Sequence, residues 1–214
     1  MRVCRRLYES GLIAGSDGNV SVRLSDDALL ATPSGTSKVD VTVDDLVLLA
    51  PDGRQLSDGR RASSEIAVHL RIYARRPDVR GVVHAHPPTA TGFAVAGEGL
   101  AGDVLPEIIL HMGTVPLVPY EMPGTEALAD RIEPFLTSHD AFLMANHGAT
   151  TMGTTLTIAH QRMESVEHAA KILLTARLLG RVERLSSEQV RALHIARAPT
   201  HPAGAGGADG YGIG

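Results

Sequence analysis

Apolar positions change their period several times along the chain, and each change predicts an element. Val3, Leu7 and Leu12 recur at roughly helical spacing, so residues 1–12 read as a short amphipathic helix. In "GLIAGSDGNVSVRL" two glycines bracket Ser16 and Asp17 before Val20, Val22 and Leu24 alternate with polar residues, which predicts a loop followed by a strand. "ALLATPSGTSKVDVTVDDLVLLAPDG" predicts a further strand, a Pro-Ser-Gly turn, a helical turn at "TVDDL" and another strand closed by Pro-Asp-Gly. Ile66, Leu70 and Tyr73 then return to helical spacing, with Ser63 and Ser64 as candidate N-caps and Pro77 as the stop.

The apolar, β-branched stretch "VRGVVHAH" reads as a strand ended by two prolines. After it, "TATGFAVAGE" is predicted helical and "TVPLVPY" extended, and a helix over 125–136 leads into the apolar strand "AFLMANHGAT". The longest helix is expected over 156–179, with Gly180 as its C-cap, and a shorter one near 186–197. "APTHPAGAGGADGYGIG" is Gly/Ala-rich and predicts a flexible tail over 198–214 behind one domain over 1–197. Adjacent strands mixed with flanking helices, without strict β-α-β alternation or a G-x-G-x-x-G loop, predict an α+β fold: a three-layer α/β/α sandwich around a mostly antiparallel sheet.

Composition narrows the chemistry. A chain of 214 residues, 43% hydrophobic and 21% charged, is long enough for one sizeable core. No apolar run approaches the roughly 20 residues of a membrane span, and the first residues lack the apolar stretch of a signal peptide, so a cytoplasmic location is expected. A net charge of −4 and 3% aromatic residues leave neither a basic footprint nor stacking platforms for nucleic acid. The single cysteine, Cys4, excludes an internal disulfide and a multi-cysteine zinc site. Any transition-metal site must therefore rest on carboxylates and the ten histidines.

Positions i and i+2 of a strand share a face, so His84 and His86 are expected to point the same way where their strand ends. Ordinary hydrogen-bonded histidines would satisfy that pattern too, but neutral imidazole is also a common zinc ligand. His147, at the end of a second apolar stretch and followed by Gly148, is the third candidate ligand. Glu65 is the candidate carboxylate, although a glutamate at a helix start is equally explained by the helix dipole. The loops "GSDGN" and "PSGTS" and the serines before Glu65 offer hydroxyls and backbone N–H groups to an anion, or are simply turns.

The ordered set "AGSDGNVSVR", "TPSGTS", "SSEIAVHLRIY", "VVHAHPP", "VPLVPY" and "NHGAT" resembles the class II aldolase/adducin family over about residues 1 to 190. The resemblance implies a metal-dependent aldolase of the fuculose-phosphate type, cleaving a phosphorylated ketose to dihydroxyacetone phosphate and an aldehyde. It implies Zn2+ on His84, His86 and His147, with Glu65 as the carboxylate that ligates zinc and then acts as base. It further implies Tyr120 as proton donor, a phosphate held by Ser16, Asn19, Ser34, Gly35, Ser63 and Ser64, and a homotetramer in which Tyr211 covers a neighbouring site. An epimerase, dehydratase or decarboxylase of the same family stays open, as does a non-catalytic, adducin-like oligomerisation module. The remaining histidines, His69 and His111 among them, are read as structural or solvated, and Glu164 and Glu167 as polar-face or interface residues.

Overall fold

The computed structural model describes residues 1–196; the predicted tail, with Tyr211, lies outside the described residues. Seven strands form one sheet: β1 (Asn19–Ser25), β2 (Ala28–Ala31), β3 (Val47–Leu49), β4 (Gly81–Ala85), β5 (Leu117–Val118), β6 (Ala141–Met144) and β7 (Gly148–Gly153). Their spatial order is β3-β2-β1-β4-β7-β6-β5, and only the β5–β6 pair is parallel. The helices are α1 (Arg2–Glu9), α2 (Ile66–Arg75), α3 (Pro88–Val95), α4 (Pro106–His111), α5 (Glu126–Ile132), α6 (Leu156–Leu178) and α7 (Ser187–Ala196).

Strand alternation divides the core into two halves. Val83, Ala85, Leu143 and Ala149 pack on one face of the sheet with Leu7, Phe93, Ile108 and Met163 from α1, α3, α4 and α6. Their neighbours Val82, Phe142, Met144 and Met152 face the other way and pack with Ile72 and Tyr73 of α2 and Leu128 and Ile132 of α5. This is the expected three-layer sandwich. Each large side chain buried in it contributes about 1.5–3 kcal/mol, and the paired layers hold β4 and β7 rigidly at the centre of the sheet.

Several expectations are corrected. "AFLMANHGAT" is not one strand but a hairpin: β6 ends at Met144, Asn146 turns with a φ of 56°, and β7 starts at Gly148. His147 therefore sits in the turn, and Gly148 lacks the positive φ of a turning residue. "TVPLVPY" is extended over only two strand residues, and the short helix α4 was not expected. Neither serine caps α2: Glu65 is its N-cap, with no side-chain cap hydrogen bond, and the Ser63 hydroxyl accepts the Glu65 backbone N–H at 3.3 Å. Glu167 is buried, and its carboxylate accepts from the backbone N–H groups of Thr89 and Ala90 at the start of α3. A negative charge there complements the helix dipole, fixing the chain just after His86. No described helix is long and apolar enough to cross a membrane.

Candidate metal centre and adjoining cleft

Sheet register builds the first half of the site. His84 lies in β4 opposite Asn19 of β1 on one side and Thr150 of β7 on the other, and its side chain is buried. Its Nδ1–H donates to the Ala149 carbonyl at 2.9 Å, since a carbonyl only accepts, and this bond turns Nε2 toward the other histidines. His86 follows one residue past the strand, and its Nε2 lies 3.1 Å from that of His84. The hairpin turn brings in His147, whose ring centroid is 4.7 Å from that of His84 and 5.3 Å from that of His86.

Glu65 enters from the layer of α2. Its Oε1 is 2.9 Å from His147 Nε2 and its Oε2 3.2 Å from His84 Nε2. Asn19 Nδ2 donates to Oε2 at 3.0 Å, orienting the carboxylate. Burial alone would raise the Glu65 pKa, but the hydrogen bonds from His147 and His84 hold it well below the usual carboxylate range. Burial, reinforced by His84 and His147, pushes His86 down to about 4. At neutral pH the site thus presents an ionised carboxylate and a neutral His86 imidazole, the protonation states that metal ligation requires.

These residues fit a divalent metal. Among the described residues, His84, His86 and His147 are the one group of three or more potential ligands whose donor atoms lie within 4.8 Å of one another. Ligands about 2.0–2.1 Å from a tetrahedral zinc stand about 3.3 Å apart, close to the 3.1 Å between the His84 and His86 nitrogens. Gly148 permits the convergence: a Cβ there would stand 2.6 Å from both the Ala85 carbonyl oxygen and His86 Cδ2. Its absence of a side chain serves close approach.

Next to the cluster is a cleft of about 320 Å³, and Ser16, Asn19, Ser34, Gly35, Ser63 and Ser64 all line it together with Glu65 and His86. Gly18 and Gly35 hold the two loops with φ values of 70° and 66°, a region that glycine enters without strain. Tyr120 is brought to neither the cleft nor the histidines' immediate surroundings; it lies two residues beyond β5 and is 58% exposed.

Sequence reasoning missed several neighbours. Asp17 Oδ2 lies 3.4 Å from His86 Nδ1. Thr150 reaches His84 only through the β4–β7 register, which no local pattern reveals. His69, read as structural, is buried one turn beyond Glu65, and its Nδ1 meets Ser21 Oγ at 2.6 Å. Ser21 Oγ in turn lies 2.9 Å from the Tyr73 hydroxyl. The i+4 spacing of Glu65 and His69 on one helix face is the signal that would have found it. Lys38, also overlooked, lines the cleft.

A sequence model of the class II aldolase and adducin N-terminal domain matches residues 1–174. This chain belongs to the class II aldolase and adducin family. Among its family relatives, the 3-oxo-tetronate 4-phosphate decarboxylase of Escherichia coli strain K12 is 36% identical over 177 residues, covering 80% of this chain and 82% of that one. The 5-deoxy-D-ribulose 1-phosphate aldolase of Bacillus thuringiensis serovar kurstaki is 31% identical over 191 residues, covering 88% and 89%. A solved family structure, L-fuculose 1-phosphate aldolase, superposes with a TM-score of 0.85 at 29% identity, covering 91% of this chain and 92% of its own. Aldolases and decarboxylases both break a carbon–carbon bond, and the chain is a metal-dependent lyase of this family.

Proposed function

We propose that the protein is a zinc-dependent decarboxylase that releases carbon dioxide from a 3-oxo four-carbon sugar acid 4-phosphate and leaves dihydroxyacetone phosphate. The observation that carries this reading is the sharing of Glu65 and His86 between the histidine cluster and the hydroxyl-lined cleft. A ligand with its phosphate in the cleft would have its carbonyl end beside the histidines.

His84, His86 and His147 would hold the metal, with Glu65 as a further ligand able to leave it. When bound, the metal would supply Lewis-acid stabilisation of negative charge developing on substrate oxygens. In the reaction the bond between the carboxylate carbon and C2 breaks, its electron pair passes toward the C3 carbonyl, and carbon dioxide departs. The resulting enediolate then needs a proton at C2. Glu65 is the group for that transfer: it relays to C2 a proton taken up from solvent, one for each carbon dioxide released, and the substrate hydroxyl keeps its own. Asn19 keeps the carboxylate oriented through its 3.0 Å hydrogen bond. Hydroxyls of Ser16, Ser34, Ser63 and Ser64 with the Gly35 backbone bind the phosphate, so binding energy remote from the reacting bond fixes its position.

The second reading is a ketose 1-phosphate aldolase, favoured by the 31% identity to the deoxyribulose phosphate aldolase and the superposition on the fuculose phosphate enzyme. Aldol cleavage passes through the same enediolate but also moves a proton at the departing aldehyde's oxygen, the role assigned to Tyr120 by resemblance. Carbon dioxide leaves without such a proton. The two readings therefore differ in whether a proton donor in the role given to Tyr120 is needed.

The test is incubation of the zinc-loaded protein with 3-oxo-tetronate 4-phosphate and with a panel of ketose 1-phosphates, scoring carbon dioxide, aldehyde and dihydroxyacetone phosphate with and without chelator. Chelator-sensitive carbon dioxide release supports the first reading and aldehyde release the second. Absence of dihydroxyacetone phosphate from every substrate sinks both. The resemblance also brings the homotetramer, whose native mass would be about four times the 22.6 kDa of the chain.

A further inference from the structure

Only two of the twenty Lys and Arg residues in the chain are lysines, Lys38 and Lys171. They sit in opposite surroundings. Lys171 is exposed on α6, 3.4 Å from Glu167, whereas Lys38 is 2% exposed and ranks among the largest fully buried side chains. Its Nζ donates to the carbonyl of Ser16 at 2.9 Å and to that of Thr36 at 3.0 Å. These acceptors belong to the two loops that carry Ser16, Ser34 and Gly35, and Lys38 itself lines the cleft between them. No carboxylate of the described residues lies within ion-pair distance of Nζ.

A buried ammonium with no carboxylate in ion-pair contact is costly, because two carbonyl dipoles and the more distant charge of Asp17 replace only part of its hydration. Burial accordingly lowers the Lys38 pKa. Folding nevertheless keeps this cation between two loops whose hydroxyls face a common cleft. Arginine, used at eighteen other positions, would bring a larger planar fork to a point where a compact ammonium bridges two carbonyls. An anion in the cleft would supply the missing negative charge.

We infer that Lys38 is a positioning and affinity-determining residue of the phosphate subsite, clamping the two loops through the Ser16 and Thr36 carbonyls and furnishing the buried positive charge that a phosphate dianion neutralises. This inference rests on the reading of the cleft as a phosphate site. It assigns to Lys38 no part in bond breaking.

The experiment titrates the metal-loaded full chain with inorganic phosphate at constant ionic strength, following the ¹³Cε–¹Hε signals of selectively labelled lysine. With two lysines in the chain, Lys171 is the internal control. The Lys38 signal is expected to shift saturably while that of Lys171 stays still. In parallel, phosphate affinity is measured for S34A, S63A, K38M and K38R by calorimetry, with metal content and melting recorded for each. K38M should bind phosphate roughly 10- to 100-fold more weakly, the loss expected when a charged hydrogen-bond partner is removed. K38R should recover part of that loss, which a purely structural role of the aliphatic stem would not require.

Weakened binding in S34A and S63A, with K38M unchanged and the Lys38 signal unmoved, overturns the inference and leaves the phosphate cleft standing. Phosphate binding insensitive to all four changes means coordination to the metal alone, and overturns the cleft reading along with the inference. Should K38M fail to fold, the labelled parent protein decides: a saturable Lys38 shift supports the role and its absence refutes it.

Discussion

Gly148→Ala tests whether the close approach of β4 and β7 is what assembles the histidines. The new Cβ would stand 2.6 Å from the Ala85 carbonyl oxygen and from His86 Cδ2, whereas ordinary contact begins near 3.4 Å. The shortfall is about 0.8 Å, and one of the two obstacles is backbone, which no rotamer change removes. Relief must come from parting β7 from β4 at the paired residues Ala85 and Ala149, beside His84 and His86. Overpacking of this kind costs about 3 kcal/mol at the upper end of its usual range. The smaller entropy of the unfolded alanine chain offsets about 0.4–1 kcal/mol of that. A net loss of about 2 kcal/mol lowers the melting temperature by about 4–8 °C in a chain of this size. Because the parting strands carry ligands, metal affinity by chelator competition should fall about 10- to 100-fold, as for changes that disturb ligand orientation. Gly92→Ala is the control: that position lies inside α3 with nothing within 4 Å of a new Cβ, so it should stabilise by about 0.5–1 kcal/mol and leave metal affinity unchanged. A G148A protein that melts and binds zinc like its parent would refute the close-approach argument.

Other substitutions separate the roles within the site. E65Q should retain metal, measured by elemental analysis, while proton exchange at the substrate carbon falls roughly 100- to 10,000-fold; undiminished exchange removes Glu65 from the mechanism. His147→Ala should lose stoichiometric metal, and full occupancy in that variant would contradict the ligand set. His69 supplies a pH prediction. Burial lowers its pKa from 6.5 to about 3, so between those values the unfolded chain binds a proton that the folded chain refuses. Its contribution to stability is therefore fully present above about pH 6.5 and is lost as pH falls toward 3, at up to about 1.4 kcal/mol per pH unit. Urea unfolding of H69Q between pH 7 and pH 4.5 should show a shallower slope than the parent, and equal slopes would count against a buried neutral imidazole.

What the sequence revealed and what it hid follow from one distinction. Periodicity reports which face of an element is apolar, so β1, α2 and the core around α6 were legible, and the i, i+2 spacing of His84 and His86 correctly gave neighbouring rings, 5.0 Å apart. Periodicity is blind to a reversal inside a continuously apolar run. The β6–β7 hairpin was missed because its turn at Ala145, Asn146 and His147 contains neither glycine nor proline, and Gly148 drew the eye to the wrong position. The contacts that complete the site depend on register: Asn19, His84 and Thr150 form one row across β1, β4 and β7, drawn from segments more than sixty residues apart. A motif can nominate members of that row, but only the sheet aligns them. Lys38 presents the complementary case, since its sequence neighbours place it in a polar turn while folding encloses it between two loops. The scarcity of lysine was the available signal. It becomes interpretable once burial is known, because a compact ammonium enclosed between two loops and in ion-pair contact with no carboxylate is the feature on which the phosphate-subsite role of Lys38 is inferred.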